Sequence, residues 1–246
     1  MASTDAVGER RSGPTPLLEM TWEDLLFAHW SVDPAVVARR LPAGYEVDTF
    51  DDEAYLGVVP FVMRNVRPAF LPSLPGPFDR TFGELNLRTY VRGPDGTPGV
   101  YFFNLDADDL LSVGVARSLF RLPYYRAEMD VDPSGGSVTF RSERTHRNVP
   151  ACRFEATYGP DGDPFTPEEA TLPHFLTERY RFYTVDDGGR TYYGDIGHEP
   201  WTLVPATADI RRNDLFTANG FERPDGDPSL LYARRIDVTA GRVHRV

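Results

Sequence analysis

One short run carries more potential chemistry than any other part of this chain. Thr81 to Arg92 alternates in character, and the side chains of a strand point to opposite faces at each step. Phe82, Glu84, Asn86, Arg88 and Tyr90 share one face, while Thr81, Gly83, Leu85, Leu87, Thr89 and Val91 share the other. The second face is apolar enough to require packed protein behind it. The first has two readings, a solvated strand face with ordinary cross-strand charges or the wall of a cavity, and periodicity leaves them level. A carboxylate, a carboxamide and a guanidinium in one row suit proton transfer and anion binding. An ion pair between Glu84 and Arg88 would instead make both structural.

A second group follows at Ala116 to Ala127. Arg117 sits near the end of an expected helix, Asp108 to Phe120, where it complements the helix dipole or clamps an anion. Pro123 ends that helix and delivers Tyr124 and Tyr125 to the start of a strand, as core residues or as cavity-mouth aromatics with usable hydroxyls. Sequences for a nucleophile elbow, a zinc-protease helix, a phosphate-binding loop and a dinucleotide fingerprint are all missing. The five histidines, His29, His146, His174, His198 and His244, lack metal-ligand spacing, so no metal and no cofactor is expected. Cys152, beside Arg153 in a strand, reads as a core residue.

Composition narrows the partners. The chain has 246 residues, 41% hydrophobic and 26% charged, enough to bury a core. Its net charge of −11 repels phosphate backbones and anionic bilayers, so neither nucleic acid nor membrane is an expected partner. All 26 basic residues are arginines. This acidic, lysine-free composition is halophile-like, or the mark of a GC-biased genome. Whatever its origin, no side-chain amine exists to form an imine with a carbonyl substrate or to anchor pyridoxal phosphate. A lone cysteine allows no internal disulfide and suits a reducing compartment. The longest apolar stretch, Ala54 to Met63, is too short to span a bilayer and contains Pro60. Together these point to a cytoplasmic protein of unspecified oligomeric state.

The positioning elements are mostly strands. Residues 1–16 read as a flexible tail, and 17–246 as one domain. Asp33-Pro34 starts a short helix to about Leu41. Tyr45–Phe50 and Ala54–Arg64 form a hairpin about Asp51-Asp52, and proline-rich Pro68–Pro77 is a loop. Thr81–Arg92 and Val100–Leu105 are strands across a Gly-Pro turn. Further strands are expected at Tyr125–Val131, Ser137–Arg144, Cys152–Tyr158, Arg179–Val185, Arg190–Ile196, Thr202–Arg211 and Leu230–Val238. Helical pieces are expected at Thr166–Glu169, Pro173–Arg179 and Asn213–Asn219, the last closed by Gly220. Such a mainly β chain with a few helices (α+β) suits an antiparallel barrel or sandwich with helices outside it.

Phe27-Ala-His29-Trp30, Leu41-Pro-Ala-Gly44, Phe82-Gly-Glu84-Leu-Asn86-Leu-Arg88-Thr-Tyr90, Leu122-Pro123-Tyr124, Phe175-Leu-Thr-Glu-Arg179-Tyr180 and His198-Glu-Pro200-Trp201 occur in this order. The ordered set resembles the YqjF-like family of uncharacterised proteins (domain of unknown function 2071) over roughly residues 17–235. The resemblance implies an acetoacetate decarboxylase-like fold, an antiparallel cone-shaped β-barrel with an internal cavity. Ala116 to Ala127 matches the decarboxylase pattern G-R-E-x-x-G-F-P-K-K-x-A in spacing. Arg117, Pro123 and Ala127 fall on its Arg, Pro and Ala; its two lysines fall on Tyr124 and Tyr125. Tyrosine cannot form the imine. The family's pocket glutamate corresponds to Glu84.

The expectation is therefore a cavity lined by Glu84, Asn86, Arg88, Tyr124 and Arg117, with His29 and Tyr180 beside them. It would hold a small carboxylate or enol-like ligand, an organic acid, on Arg88. Two alternatives stand beside it. One is a lysine-independent lyase, hydratase or isomerase with Glu84 as base and Tyr124 as hydrogen-bond donor. The other is a structural or interaction protein whose interior is filled by its own side chains.

Overall fold

The computed structural model describes residues 15–70, 81–108, 120–186 and 188–246. Among them the chain forms β1 (Leu18–Val32), α1 (Pro34–Ala38), β2 (Glu46–Val47), β3 (Ala54–Pro68), β4 (Phe82–Arg92), β5 (Pro98–Ala107), β6 (Tyr124–Ser134), β7 (Ser137–Arg144) and β8 (Arg153–Pro160). It continues with α2 (Leu172–Thr177), β9 (Arg181–Val185), β10 (Thr191–Gly197), β11 (Val204–Asn213), α3 (Leu215–Ala218) and β12 (Ser229–Arg245). No helix among the described residues is long and apolar enough to cross a membrane.

The strands form one sheet in the order β10-β9-β5-β6-β7-β8-β11-β12-β1-β3-β4-β2, and further pairings of β10 with β12 and of β5 with β4 turn it into a ring. All pairings are antiparallel except β5 with β6 and β5 with β9. A parallel neighbour needs a crossover rather than a hairpin. The expected helix Asp108 to Phe120, with Arg117, lies outside the described residues except at its two ends. So do most of the proline-rich loop and residues 1–14 of the expected tail.

Three local expectations are corrected. The strand β1 was not anticipated, because its alternation changes phase at Asp24, which adopts φ 55° and shifts the register against β3 between Glu23 and Ala28. Tyr45–Phe50 does not form a hairpin with β3. Both edges of β3 are taken by β1 and β4, so the two-residue β2 pairs with β4 instead. The turn itself exists: Asp51 and Asp52 both take positive φ, and Phe50 and Glu53 exchange backbone hydrogen bonds of 3.0 and 3.1 Å. Thr166–Glu169 is not helical. Phe165 is held by a bridge to Leu203, and Ala170 at φ 61° stops a helical turn from propagating.

The other local signals behave as the chemistry requires. Asp33 caps α1, its carboxylate accepting from Ala35 N at 2.7 Å, with proline at the first helical position. Gly220 takes φ 75° after α3. On β4, Leu85 and Leu87 are fully buried and join Phe140, Phe154, Ala156, Tyr158 and Phe216 in the larger core cluster. Cys152 is buried in that cluster too, and burial pushes its thiol up to about 12. The opposite face of β4 is also buried, and it looks into the cavity described next.

Candidate functional site

A cavity of about 550 Å³ opens within the ring, so the interior is not packed solid. Strand phase decides what lines it. On β4 alternation is unbroken, and Phe82, Glu84, Asn86 and Arg88 all face inward. On β1 Leu18, Met20 and Trp22 face in before Asp24, and Leu25 and Phe27 after it. On β3 the switch comes at Asn65, φ 54°, between Met63 and Val66. Tyr124 arrives through a left-handed residue, Arg121 at φ 53°, followed by Pro123, whose carbonyl accepts from Leu105 N at 3.1 Å. Pairing then aligns Asn86, Leu105 and Tyr124 across β4, β5 and β6.

Four expected site residues meet here. Tyr124 Oη donates to Glu84 Oε2 at 2.6 Å, and Asn86 Nδ2 donates to Glu84 Oε1 at 3.5 Å. Glu84 is 3% exposed. Burial raises its pKa to about 7 against the lowering effect of both hydrogen bonds, so near neutrality its neutral and charged forms coexist. Burial and the neighbouring carboxylate hold the Tyr124 hydroxyl well above its ordinary range, which keeps it a donor. Asn86 Oδ1 is buried and has no partner.

Arg88 makes no ion pair with Glu84. Its Nη2 donates to Leu176 O at 3.3 Å, its guanidinium lies over the Phe27 ring at 5.2 Å, and its Nε is buried without a partner. The other cavity arginines differ. Arg67 pairs with Glu19, Arg179 with Asp48 at 2.8 Å, and Arg181 with Asp195 and Asp95 at 2.6 and 3.0 Å. Among the described residues, Arg88 is the one cavity-lining arginine without a carboxylate.

The remaining expected residues lie elsewhere. His29 sits behind the wall, not on it. Tyr90 donates its one hydroxyl proton to Leu176 O at 2.6 Å and lies 2.7 Å from His29 Nε2, so that nitrogen carries the histidine's proton and Nδ1 is an unpartnered acceptor. Burial, and next the charge of Arg88, hold the His29 pKa well below 6.5. Gly57 makes room for this ring, since a Cβ there would lie 2.6 Å from Nε2. Tyr180 also stands back from the cavity, hydrogen-bonded to Glu178 and stacked on the lining residue His198 at 4.6 Å. Arg117 is outside the described residues.

Sequence reasoning missed the part of the wall formed by the end of α2 and the His198–Trp201 segment. Trp201 Nε1 donates to Thr177 O at 2.9 Å and its backbone N–H to Glu178 at 2.9 Å, which ties the His198–Trp201 segment to the end of α2. No periodicity marks this wall, because it is built from non-strand segments distant in sequence. No group of acidic, histidine and cysteine side chains fit to hold a metal occurs among the described residues.

Residues 19–237 match the DUF2071 family, described as an uncharacterized conserved protein. The chain belongs to this family. Within it, the uncharacterized protein YqjF of Bacillus subtilis (strain 168) is 43% identical over 222 residues, 90% of this chain and 89% of that protein. Two solved structures outside that sequence range share the fold. The enduracididine biosynthesis enzyme MppR complexed with pyruvate superposes with a TM-score of 0.65 at 14% identity, covering 97% of this chain and 93% of that one. An acetoacetate decarboxylase from Legionella pneumophila gives 0.60 at 12% identity, covering 100% and 98%. At such identities the likeness is one of fold, and a fold does not fix a function. For this DUF2071 chain the decisive chemical fact is internal: it contains no lysine.

Proposed function

We propose that this protein binds a small organic acid in its cavity, with Arg88 holding the carboxylate. The observation that carries this reading is the isolation of Arg88 among paired arginines. Arg88 is half-buried on the wall with no counter-charge and a buried, unpartnered Nε, and a ligand carboxylate supplies both the charge and two acceptor oxygens in guanidinium geometry. Asn86 Oδ1 then takes a hydrogen from a hydroxyl or enol on the same ligand. In its neutral form Glu84 adds no competing negative charge to the site. The MppR structure holds pyruvate, a small carboxylate, in a protein of the same fold. With this reading go a cone-shaped barrel around the cavity, one domain over 17–246, and a cytoplasmic location.

A second reading is favoured by the Glu84–Tyr124 contact of 2.6 Å and a carboxyl pKa of about 7. Glu84 in its charged form would take a proton from a carbon beside the ligand's carbonyl. The electron pair passes to the carbonyl oxygen as an enolate, and the proton returns to another carbon. This is isomerase chemistry, and loss of a β-substituent from the same enolate makes it lyase or hydratase chemistry. Neither route needs an amine.

Thermal unfolding with pyruvate, acetoacetate and crotonate tests the binding reading. A ligand at 100 times its Kd stabilises by about 2.7 kcal/mol, a Tm rise of roughly 5–10 °C for a chain of this size. Arg88→Gln should abolish the rise. If no acid moves the wild-type Tm, the reading fails.

A further inference from the structure

The cavity is much larger than a three- or four-carbon acid, and its walls are chemically divided. At about 30 Å³ per water, about 550 Å³ corresponds to roughly 18 waters, whereas pyruvate has about six non-hydrogen atoms. The polar side chains Glu84, Asn86, Arg88 and Tyr124 gather on β4 and β6, and all but the half-buried Arg88 are buried. Leu18, Met20, Val66, Phe102, Leu122 and Ile196 line an apolar end of the cavity and are half-buried. The charged residues among this apolar lining, Arg67 and Arg181, already hold carboxylates. That end therefore offers no free cation to a second acid group.

We infer that the ligand is a monocarboxylic acid with an apolar body of about six or more carbons, its head on Arg88 and its tail along the apolar lining. This rests on the organic-acid reading above and extends it to a substrate class. Each methylene transferred from water to apolar surface is worth about fourfold in affinity. A short acid would forgo that gain and leave apolar walls wet. A diacid would bring a second charge to an apolar lining that cannot neutralise it.

Calorimetric titration of the full chain with acetate, butanoate, hexanoate, octanoate and octanedioate at one pH tests this. Affinity should rise about tenfold or more per two added carbons up to octanoate. Octanedioate should bind at least a hundredfold more weakly than octanoate. Met20→Trp, which fills part of the apolar lining, should lower the chain length at which affinity stops rising; Ile196→Trp serves the same purpose if the first variant does not fold. A flat dependence on chain length, with binding still lost in Arg88→Gln, would overturn the inference and leave the organic-acid reading standing. Binding of no acid at any length would overturn both. Octanoate binding that survives Arg88→Gln unchanged would overturn the head-on-Arg88 orientation.

Discussion

Two arginines of this protein, one buried in the framework and one half-buried on the cavity wall, have opposite circumstances. Arg144 on β7 forms a bidentate pair with Asp106 at 2.7 and 2.8 Å, the two side chains being 2% and 1% exposed. It donates also to Pro150 O at 3.2 Å and lies over the Tyr125 ring at 4.5 Å. Asp106 accepts in addition from Asn104 at 3.2 Å, and Asn104 from Asn219 of the segment after α3. Every strong group there has its partner inside the protein. Arg88 has one backbone contact, two aromatic faces and an empty Nε. A satisfied guanidinium is framework; an unsatisfied one on a cavity wall is a receptor. Arg144 is also the more deeply buried, but partner accounting is what separates their roles.

The largest effect should come from breaking the satisfied site. Asp106→Ala leaves the Arg144 guanidinium buried and uncompensated, and removing one partner of such a pair costs about 3–5 kcal/mol. Denaturant unfolding should show that loss. Acid binding at Arg88 should be unaffected in the folded fraction, because Asp106 does not line the cavity. A loss below about 1 kcal/mol would show that the pair is not framework in the sense used here.

Glu84 comes next. Its pKa is about 7 in the fold against an ordinary value of 4.5, so the folded state holds a proton that the unfolded state has released between those values. Its contribution to stability is complete below about 4.5 and is lost as pH rises to about 7, a total of about 3 kcal/mol. His29 acts in the opposite sense: kept neutral in the fold, it loses stability as pH falls below 6.5. The two partly cancel, so the readable quantity is the difference between wild type and Glu84→Gln across pH 4–8. That difference should grow with pH in favour of the variant and flatten above about 7–8. A difference independent of pH would mean that Glu84 titrates as an ordinary carboxyl.

Tyr124→Phe should act more gently, through Glu84. The phenol donates to the carboxylate and favours its charged form. Removing a charge-assisted bond worth about 1.5–3 kcal/mol should raise the Glu84 midpoint by roughly one unit or more. The carboxyl band in infrared titration would report it. An unchanged midpoint would separate Tyr124 from the proton chemistry altogether.

The same contrast governs how much was legible in the sequence. On β4 every even residue from Phe82 to Arg88 faces the cavity, so strict alternation displayed the polar row intact. On β1 the phase flips at Asp24, and Trp22 and Phe27 line the same cavity from opposite parity. A period-two reading averages such a strand away. The hairpins β6–β7 and β9–β10 stood out because their turns carry Gly pairs between alternating segments. Pairing between distant strands, such as β1 with β12 or β5 with β9, leaves no local mark. Nor could residue types distinguish Arg88 from Arg179. Only the Asp48 carboxylate, brought from more than a hundred residues away in the chain, silences one and spares the other.

Arg88→Met is the smallest expected change in stability, and it sharpens the contrast most. Methionine keeps much of the volume but gives up the guanidinium's place over the Phe27 ring, and removes a charge that has no internal counter-ion. Leu176 O is not orphaned, because Tyr90 continues to donate to it at 2.6 Å. His29 loses a neighbouring cation, so its pKa should move up toward 6.5. Unfolding free energy should therefore change by less than about 1 kcal/mol, since a half-buried charge with no internal counter-ion contributes little to stability. Acid binding should meanwhile be lost. A destabilisation as large as that of Asp106→Ala would place Arg88 with Arg144 as framework, and the distinction between the two sites would collapse.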